Sequence, residues 1–221
     1  MTPERGPRIA VAAVGFDLGE TLYHFGRPPL SWIERGRAVR PGRRPGARRS
    51  ARGGDAAGRL VLALGPRGAR RAEATIDRVA ELVRQSLVPY PDAVATLAAL
   101  KRAGFLVGAL TNVPWGLPRA TVRRDLERMG LSPFIDRFVS SSDAGARKPD
   151  PAAFAWLAAT LGVAPGQIAY VGNLVTDVIG ARAAGCIPIF LDRSGSGADH
   201  GQVATIRRLD ELPGLLTRPD G

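Results

Sequence analysis

Long apolar runs, cysteine, histidine and aromatic residues are all scarce in this 221-residue chain, and lysine occurs only twice. No apolar stretch approaches the roughly 18 residues of a bilayer-crossing helix, so no membrane span is expected. Arg5 and Arg8 precede the apolar run Ile9–Phe16 much as basic residues open a secretory leader, but Asp17 interrupts that run, and the expected location is the cytoplasm. The single cysteine, Cys186, cannot form an internal disulfide. Between Gly185 and the run Ile187–Leu191 it reads as a small buried thiol. The two histidines, His24 and His200, have no sequence partners at catalytic spacing, which points to the surface or to an inserted segment.

Acidic residues are missing from one region only. Between Arg35 and Arg71 stand twelve arginines and one acid, Asp55, and this excess equals the whole formal net charge of +11. The nineteen basic and nineteen acidic side chains elsewhere cancel, so most of the chain is neutral. Arg35–Gly54 is built from Arg, Gly, Pro and Ala without apolar periodicity able to offset chain entropy, and disorder is expected there. Such a segment can bind nucleic acid by neutralising phosphates. It lacks interleaved aromatics, however, and a solvated segment is the preferred reading. Twenty-nine arginines against two lysines indicate GC-rich coding DNA, in which a shifted reading frame would give this composition.

What is present is a set of short, β-rich apolar runs: Ile9–Phe16, Phe105–Leu110, Ile168–Val171 and Cys186–Leu191. Each reads as a buried parallel strand. Between them, Val94, Leu97 and Leu100 recur at helical spacing and stop at Gly104, and Phe154, Leu157 and Leu161 do so and stop at Gly162. Alternating strand and helix predict an open α/β sheet. Thr205-Ile206 through Leu209 and Leu212 should add a short strand and a closing helix. In the insert between Leu22 and Pro91, Pro28-Pro29 can open a helix over Leu30–Glu34. Ile76, Val79, Val83 and Leu87 form one helical face with Arg78, Glu81 and Arg84 outward.

Asp17-Leu18-Gly19-Glu20-Thr21 follows the first strand, Thr111-Asn112 follows the second, then come Lys148-Pro149-Asp150-Pro151 and Val171-Gly172-Asn173 with Asp177 four residues on. Ligand crevices of open α/β sheets lie outside the carboxyl ends of the strands, where Asp17, Thr111 and Asn173 all fall. Singly, each residue is more often a turn or cap former. Together, in this order, the four segments resemble the haloacid dehalogenase superfamily of hydrolases.

The resemblance covers about Ile9–Leu22 and Val88–Leu212. It implies a Rossmann-like three-layer α/β/α sandwich with a mainly parallel sheet, its catalytic core at residues 1–22 and 89–221, and a small helical cap inserted at 23–88. It implies that Asp17 attacks a substrate phosphorus to form an aspartyl phosphate, that Lys148 holds Asp17 and neutralises the transferring oxygens, and that Thr111 and Asn112 bind the phosphoryl group. It also implies Mg²⁺ bound by Asp17, the carbonyl of Gly19, Asn173, and Asp177 directly or through water. Two positions depart from the family's pattern. Asn173 stands where an Asp is usual, removing one charge from the metal shell. Gly19 stands where phosphatases usually carry an Asp for proton transfer, a loss of about 10² to 10⁴ in rate. Alkyl phosphates should suffer most, and Glu20 can substitute only if the turn aims it inward. The expected function is hydrolysis of a small phosphorylated metabolite. The rivals are a metal-independent 2-haloacid dehalogenase-like hydrolase, whose branch also lacks acids at both positions but usually has an aromatic at that of Gly19, and a non-catalytic protein that keeps the pocket.

Overall fold

The structure is a computed structural model that describes residues 8–26, 81, 84–113 and 119–219. The expected disorder of Arg35–Gly54, the helix expected over Leu30–Glu34 and the apolar face Ile76, Val79 and Val83 lie outside those residues. The chain divides into two compact units, one of Met1–His24 with Leu87–Gly221 and the other of Phe25–Ser86. In the second unit, Glu81 accepts hydrogen bonds from Arg84 at 2.7 Å and from Gln85 at 3.1 Å, the spacing of neighbours on a helix surface.

The described elements run β1 (Ile9–Ala10), β2 (Ala13–Phe16), β3 (Tyr23–Phe25), β4 (Leu87–Pro89), α1 (Pro91–Arg102), β5 (Leu106–Thr111), α2 (Arg119–Arg128), β6 (Arg137–Ser140), α3 (Ser141–Ala144), α4 (Pro151–Leu161), β7 (Ile168–Gly172), α5 (Val175–Ala183), β8 (Ile187–Leu191), β9 (Ala204–Ile206), α6 (Leu212–Leu215) and β10 (Leu216–Thr217), all in the first unit but for Phe25 at the end of β3. Six strands form one parallel sheet in the order β6-β5-β2-β7-β8-β9. Numbered by their succession in the chain, these strands read 3-2-1-4-5-6, the doubly wound order. The chain reverses direction across the sheet between β2 and β7, which places the switch point at Asp17 and Asn173.

Strand residues alternate between two cores, and that alternation makes the three layers. Val14, Phe16, Val107, Ala109, Ala169 and Val171 face a core shared with Leu97 and Leu100 of α1 and with Val122 and Leu126 of α2. Ala13, Leu110, Ile168 and Tyr170 face the other, shared with Phe154, Leu157 and Leu161 of α4 and Ala181 of α5. Both faces are covered, which is why these strands read as continuous apolar runs. The fold is therefore the expected Rossmann-like α/β/α sandwich with a parallel sheet. Cys186 is buried, and burial pushes its thiol up to about 11.

Two local readings change. Ile9–Phe16 is two strands: β1 pairs with β10 outside the main sheet, while β2 sits at the sheet's centre. Val94, placed by its spacing on the inner face of α1, is 36% exposed, and Asp92, Ala93 and Thr96 are buried there instead. Among the described residues no helix is long and apolar enough to cross a membrane.

Candidate active site

Three adjacent strands end at one place. Asp17 follows β2, Thr111 ends β5 and Asn173 follows β7. Lys148 reaches the same corner from the segment before α4. Its Nζ donates to Asp17 Oδ1 at 2.5 Å, to Asp177 Oδ1 at 2.6 Å and to the Tyr170 hydroxyl at 3.3 Å. All four side chains are buried: Asp17 and Lys148 are each 6% exposed, Tyr170 and Asp177 each 1%.

One ammonium facing two carboxylates in a dry site sets the electrostatics. Burial alone would lower the Lys148 pKa, but the charges of Asp17 and Asp177 outweigh it and hold the amine above its ordinary value. Asp177 is pushed up to about 6, first by burial and then by the Asp17 charge, against the pull of Lys148 and the Leu174 N–H. Burial and the two carboxylates also raise the Tyr170 phenol well above its ordinary value, so it stays protonated and donates to the Leu110 carbonyl at 3.0 Å. Gly172 permits this crowding, since a Cβ there would collide with the Asp177 carboxylate.

Asn112 occupies a supporting position. Its amide nitrogen donates to the Lys148 carbonyl at 3.0 Å, and its amide oxygen accepts from the Lys148 N–H at 2.9 Å. Both ends of the side chain are thereby committed to holding the lysine backbone, so the side chain itself is not turned to a phosphoryl group. Arg147 reinforces the clamp by donating to the Val113 carbonyl at 2.8 Å. Thr111 is half-buried at the end of β5.

The oxygen donors assigned to Mg²⁺ divide into two groups. Thr21 Oγ1 is shared between Asn173 Oδ1 at 3.1 Å and Asp17 Oδ2 at 3.4 Å, so these two oxygens converge on one point beside the turn that carries the Gly19 carbonyl. A carboxylate, a carboxamide and a carbonyl are the hard oxygen donors that Mg²⁺ takes, and it commonly binds through only one or two carboxylates plus substrate phosphate. The residues thus fit the ion, with one negative charge among the direct donors. Asp177 is differently engaged, for its Oδ1 accepts from Lys148 and its Oδ2 from the Leu174 N–H at 3.0 Å. Among the described residues no three His, Cys, Asp or Glu side chains gather as a metal-holding group.

The family model of the haloacid dehalogenase-like hydrolases matches residues 11–185, which takes in all four motif segments. The chain belongs to this family. A glyceraldehyde 3-phosphate phosphatase of Methanopyrus kandleri is 38% identical over 108 residues, 48% of this chain and 45% of the relative. An (S)-2-haloacid dehalogenase of a Pseudomonas strain is 32% identical over 135 residues, 60% of this chain and 58% of the relative. The chain thus spans about half the length of the curated relatives it matches. Among solved structures, a haloacid dehalogenase-like phosphatase from Thermococcus onnurineus superposes with a TM-score of 0.62 at 24% identity, covering 90% of this chain and 95% of that one. This likeness carries the fold.

Two residues at or beside this corner are not marked by any motif in the sequence. Tyr170 lay inside an apolar strand, although a tyrosine in a fully buried run signals a hydroxyl with a partner to find. Arg193, just beyond β8, forks onto Asp92 at 3.0 and 3.1 Å and donates to the Thr21 carbonyl at 3.1 Å. Its place at a strand's carboxyl end was the available signal. His200 is half-buried and packs edge-on against Phe190, ring centres 4.9 Å apart.

Proposed function

We propose that this haloacid dehalogenase-like hydrolase cleaves small phosphate monoesters through a covalent phosphate on Asp17. The observation that carries the reading is the Lys148 ammonium held between Asp17 and Asp177 at the carboxyl ends of β2, β5 and β7. Lys148 fixes the Asp17 carboxylate and presents positive charge to the transferring phosphoryl oxygens, where preorganised charge in a dry site acts most strongly. The Thr111 hydroxyl and the Asn112 N–H take the remaining oxygens. Asp17 displaces the alcohol, and water then releases orthophosphate and regenerates the carboxylate.

Asp17, the Gly19 carbonyl and Asn173 would hold Mg²⁺, with Asp177 acting on it through water, and the ion would supply Lewis-acid neutralisation of phosphoryl charge. One carboxylate among the direct donors makes affinity in the absence of substrate weak. Residues 23–88 are, on this reading, a cap that selects the substrate, and the matched phosphatase relatives favour a small metabolite. The test is phosphate release from a panel of esters, with and without Mg²⁺, repeated in Asp17→Asn. Release that depends on Asp17 and is lost on chelation is expected. Unchanged release after chelation overturns the metal assignment, and no release from any ester overturns the phosphatase reading. The dehalogenase relative and the missing acids at Gly19 and Asn173 favour one second reading, hydrolysis of 2-haloacids, for which metal-free halide release is the corresponding outcome.

A further inference from the structure

At the outer edge of the main sheet, the chain gathers positive charge around a hollow. Strand β6 is the last strand on that side, two strands from β2. Between β6, α2 and the turn Ser132–Phe134 lies a pocket of about 200 Å³. Arg119 and Arg123 of α2 and Arg137 of β6 line it, together with the apolar Leu126, Ile135 and Phe138. Asp17, Lys148 and Asp177 are not among its described lining residues.

The three guanidiniums have neutral partners or none in hydrogen-bond range. Arg119 Nη2 donates to the Phe138 carbonyl at 2.7 Å, and its guanidinium lies 5.6 Å from the centre of the Phe138 ring. The carboxylate that Arg119 faces, on Asp143, stays 3.6 Å away, too far for a hydrogen bond. Arg137 donates to the Thr160 carbonyl at 3.1 Å and to the Asp136 carbonyl at 2.8 Å. Arg123 is exposed, and among the described residues it has no hydrogen bond or ion pair. Asp136 is the one acid among the described lining residues, and its carboxylate is already engaged. Both its oxygens accept from Lys101 Nζ at 2.6 Å, and Oδ2 also accepts the Val107 N–H at 2.8 Å. That pair is neutral, so the positive charge of the three arginines stands in excess.

The fold gains nothing from this excess. Arg119 and Arg123 are four residues apart on one helix, a spacing at which like charges repel. Arg119 also opens α2, whose first turn has no acid, although the positive end of a helix favours one there. A bound anion would relieve both penalties.

We propose that this pocket is a second binding site, for a small phosphate carrying at least two negative charges. Guanidinium forks match phosphate oxygens in shape as well as charge. The volume lies below the range of about 300–1,000 Å³ typical of ligand pockets, which restricts the occupant to one of pyrophosphate size or to an organophosphate with a short carbon body against Phe138.

The test titrates pyrophosphate into the ¹⁵N-labelled full chain in EDTA, following amide shifts residue by residue. The amides of Ser132 and of Ile135 to Phe138 should shift with one common Kd, which weakens as salt is added. Arg123→Gln and Arg137→Gln should each raise that Kd by about ten- to a hundredfold. Any response at Thr111, Asn112 and Asn173 should keep its parental Kd in both variants. Arg123→Lys, which keeps the charge and loses the fork, should raise the Kd by less. Arg123→Gln removes no described contact and should show the parental spectrum and melt no lower than the parent without pyrophosphate. An unchanged Kd in Arg123→Gln, no shift at the pocket amides, or shifts confined to Thr111, Asn112 and Asn173 would each overturn the second site, and none of these outcomes touches the phosphatase reading.

Discussion

Two charge clusters join distant parts of the chain, and they differ in how their charges balance. Lys148 meets Asp17 and Asp177, 131 and 29 residues away, with all three side chains less than 10% exposed and two anions for one cation. Arg193 meets Asp92, 101 residues away, one cation for one anion, with the guanidinium 21% exposed and shared with a carbonyl and an aromatic face. The second cluster is balanced and suits a brace. The first carries an excess anion in a dry place, and its arrangement makes sense once a phosphorus electrophile or a cation arrives to take up that charge. On the proposed function, burial of charge with imbalance is where the chemistry would lie, and charge pairing with balance is support.

Four substitutions test that contrast, from the largest effect to the smallest. Asp17→Asn should lower phosphate release by about 10⁴-fold or more while the fold persists, since the amide neither attacks phosphorus nor leaves Lys148 without an anion. Lys148→Met strands two carboxylates together and should destabilise the protein by about 3–5 kcal/mol in denaturant titrations. Adding Asp177→Asn should recover part of that loss, and no recovery would show that the excess anion is not the source of the cost. Arg193→Met should cost less, about 1–3 kcal/mol, because Asp92 keeps the Leu209 N–H.

The Arg193→Met variant should also alter the acid response. Burial works against ionising Asp92, but the Arg193 fork and the Leu209 N–H prevail and hold its pKa below the ordinary carboxylate value. Its contribution to stability is therefore present above the unfolded pKa and is lost as pH falls through the lower folded value. Melting curves across that range should show a smaller acid loss in Arg193→Met than in the parent. Outside both clusters, Gly162→Ala should cost about 1 kcal/mol, since Gly162 ends α4 with φ +72°. An effect as large as that of Lys148→Met would mean that the protein is too marginal for the contrast to be read.

The central strands and the convergence of the motifs were legible because they depend on local signals, short apolar runs closed by glycine with polar residues just past their ends. Partners chosen across long separations were not. Nothing in Ile9–Phe16 says that its first two residues pair with Leu216 and Thr217 while the rest enters the main sheet. The inner face of α1 was misassigned because Asp92 is buried for an arginine a hundred residues on, which hydrophobic spacing cannot register. Helix α2 was missed because its sequence is mostly polar and Val122 and Leu126 are its only large apolar buried residues. At the site, Asp17, Lys148 and Asp177 meet, whereas the Asn112 side chain serves Lys148, a pairing that only the fold reveals.

That asparagine has a mechanical consequence. Because a single amide grips both main-chain groups of one residue, the strand end that bears Thr111 cannot slip past the lysine segment without rupturing two bonds at once. The end of β5 and the segment carrying the ammonium are therefore pinned as one piece, and a shift of either would have to carry the other with it.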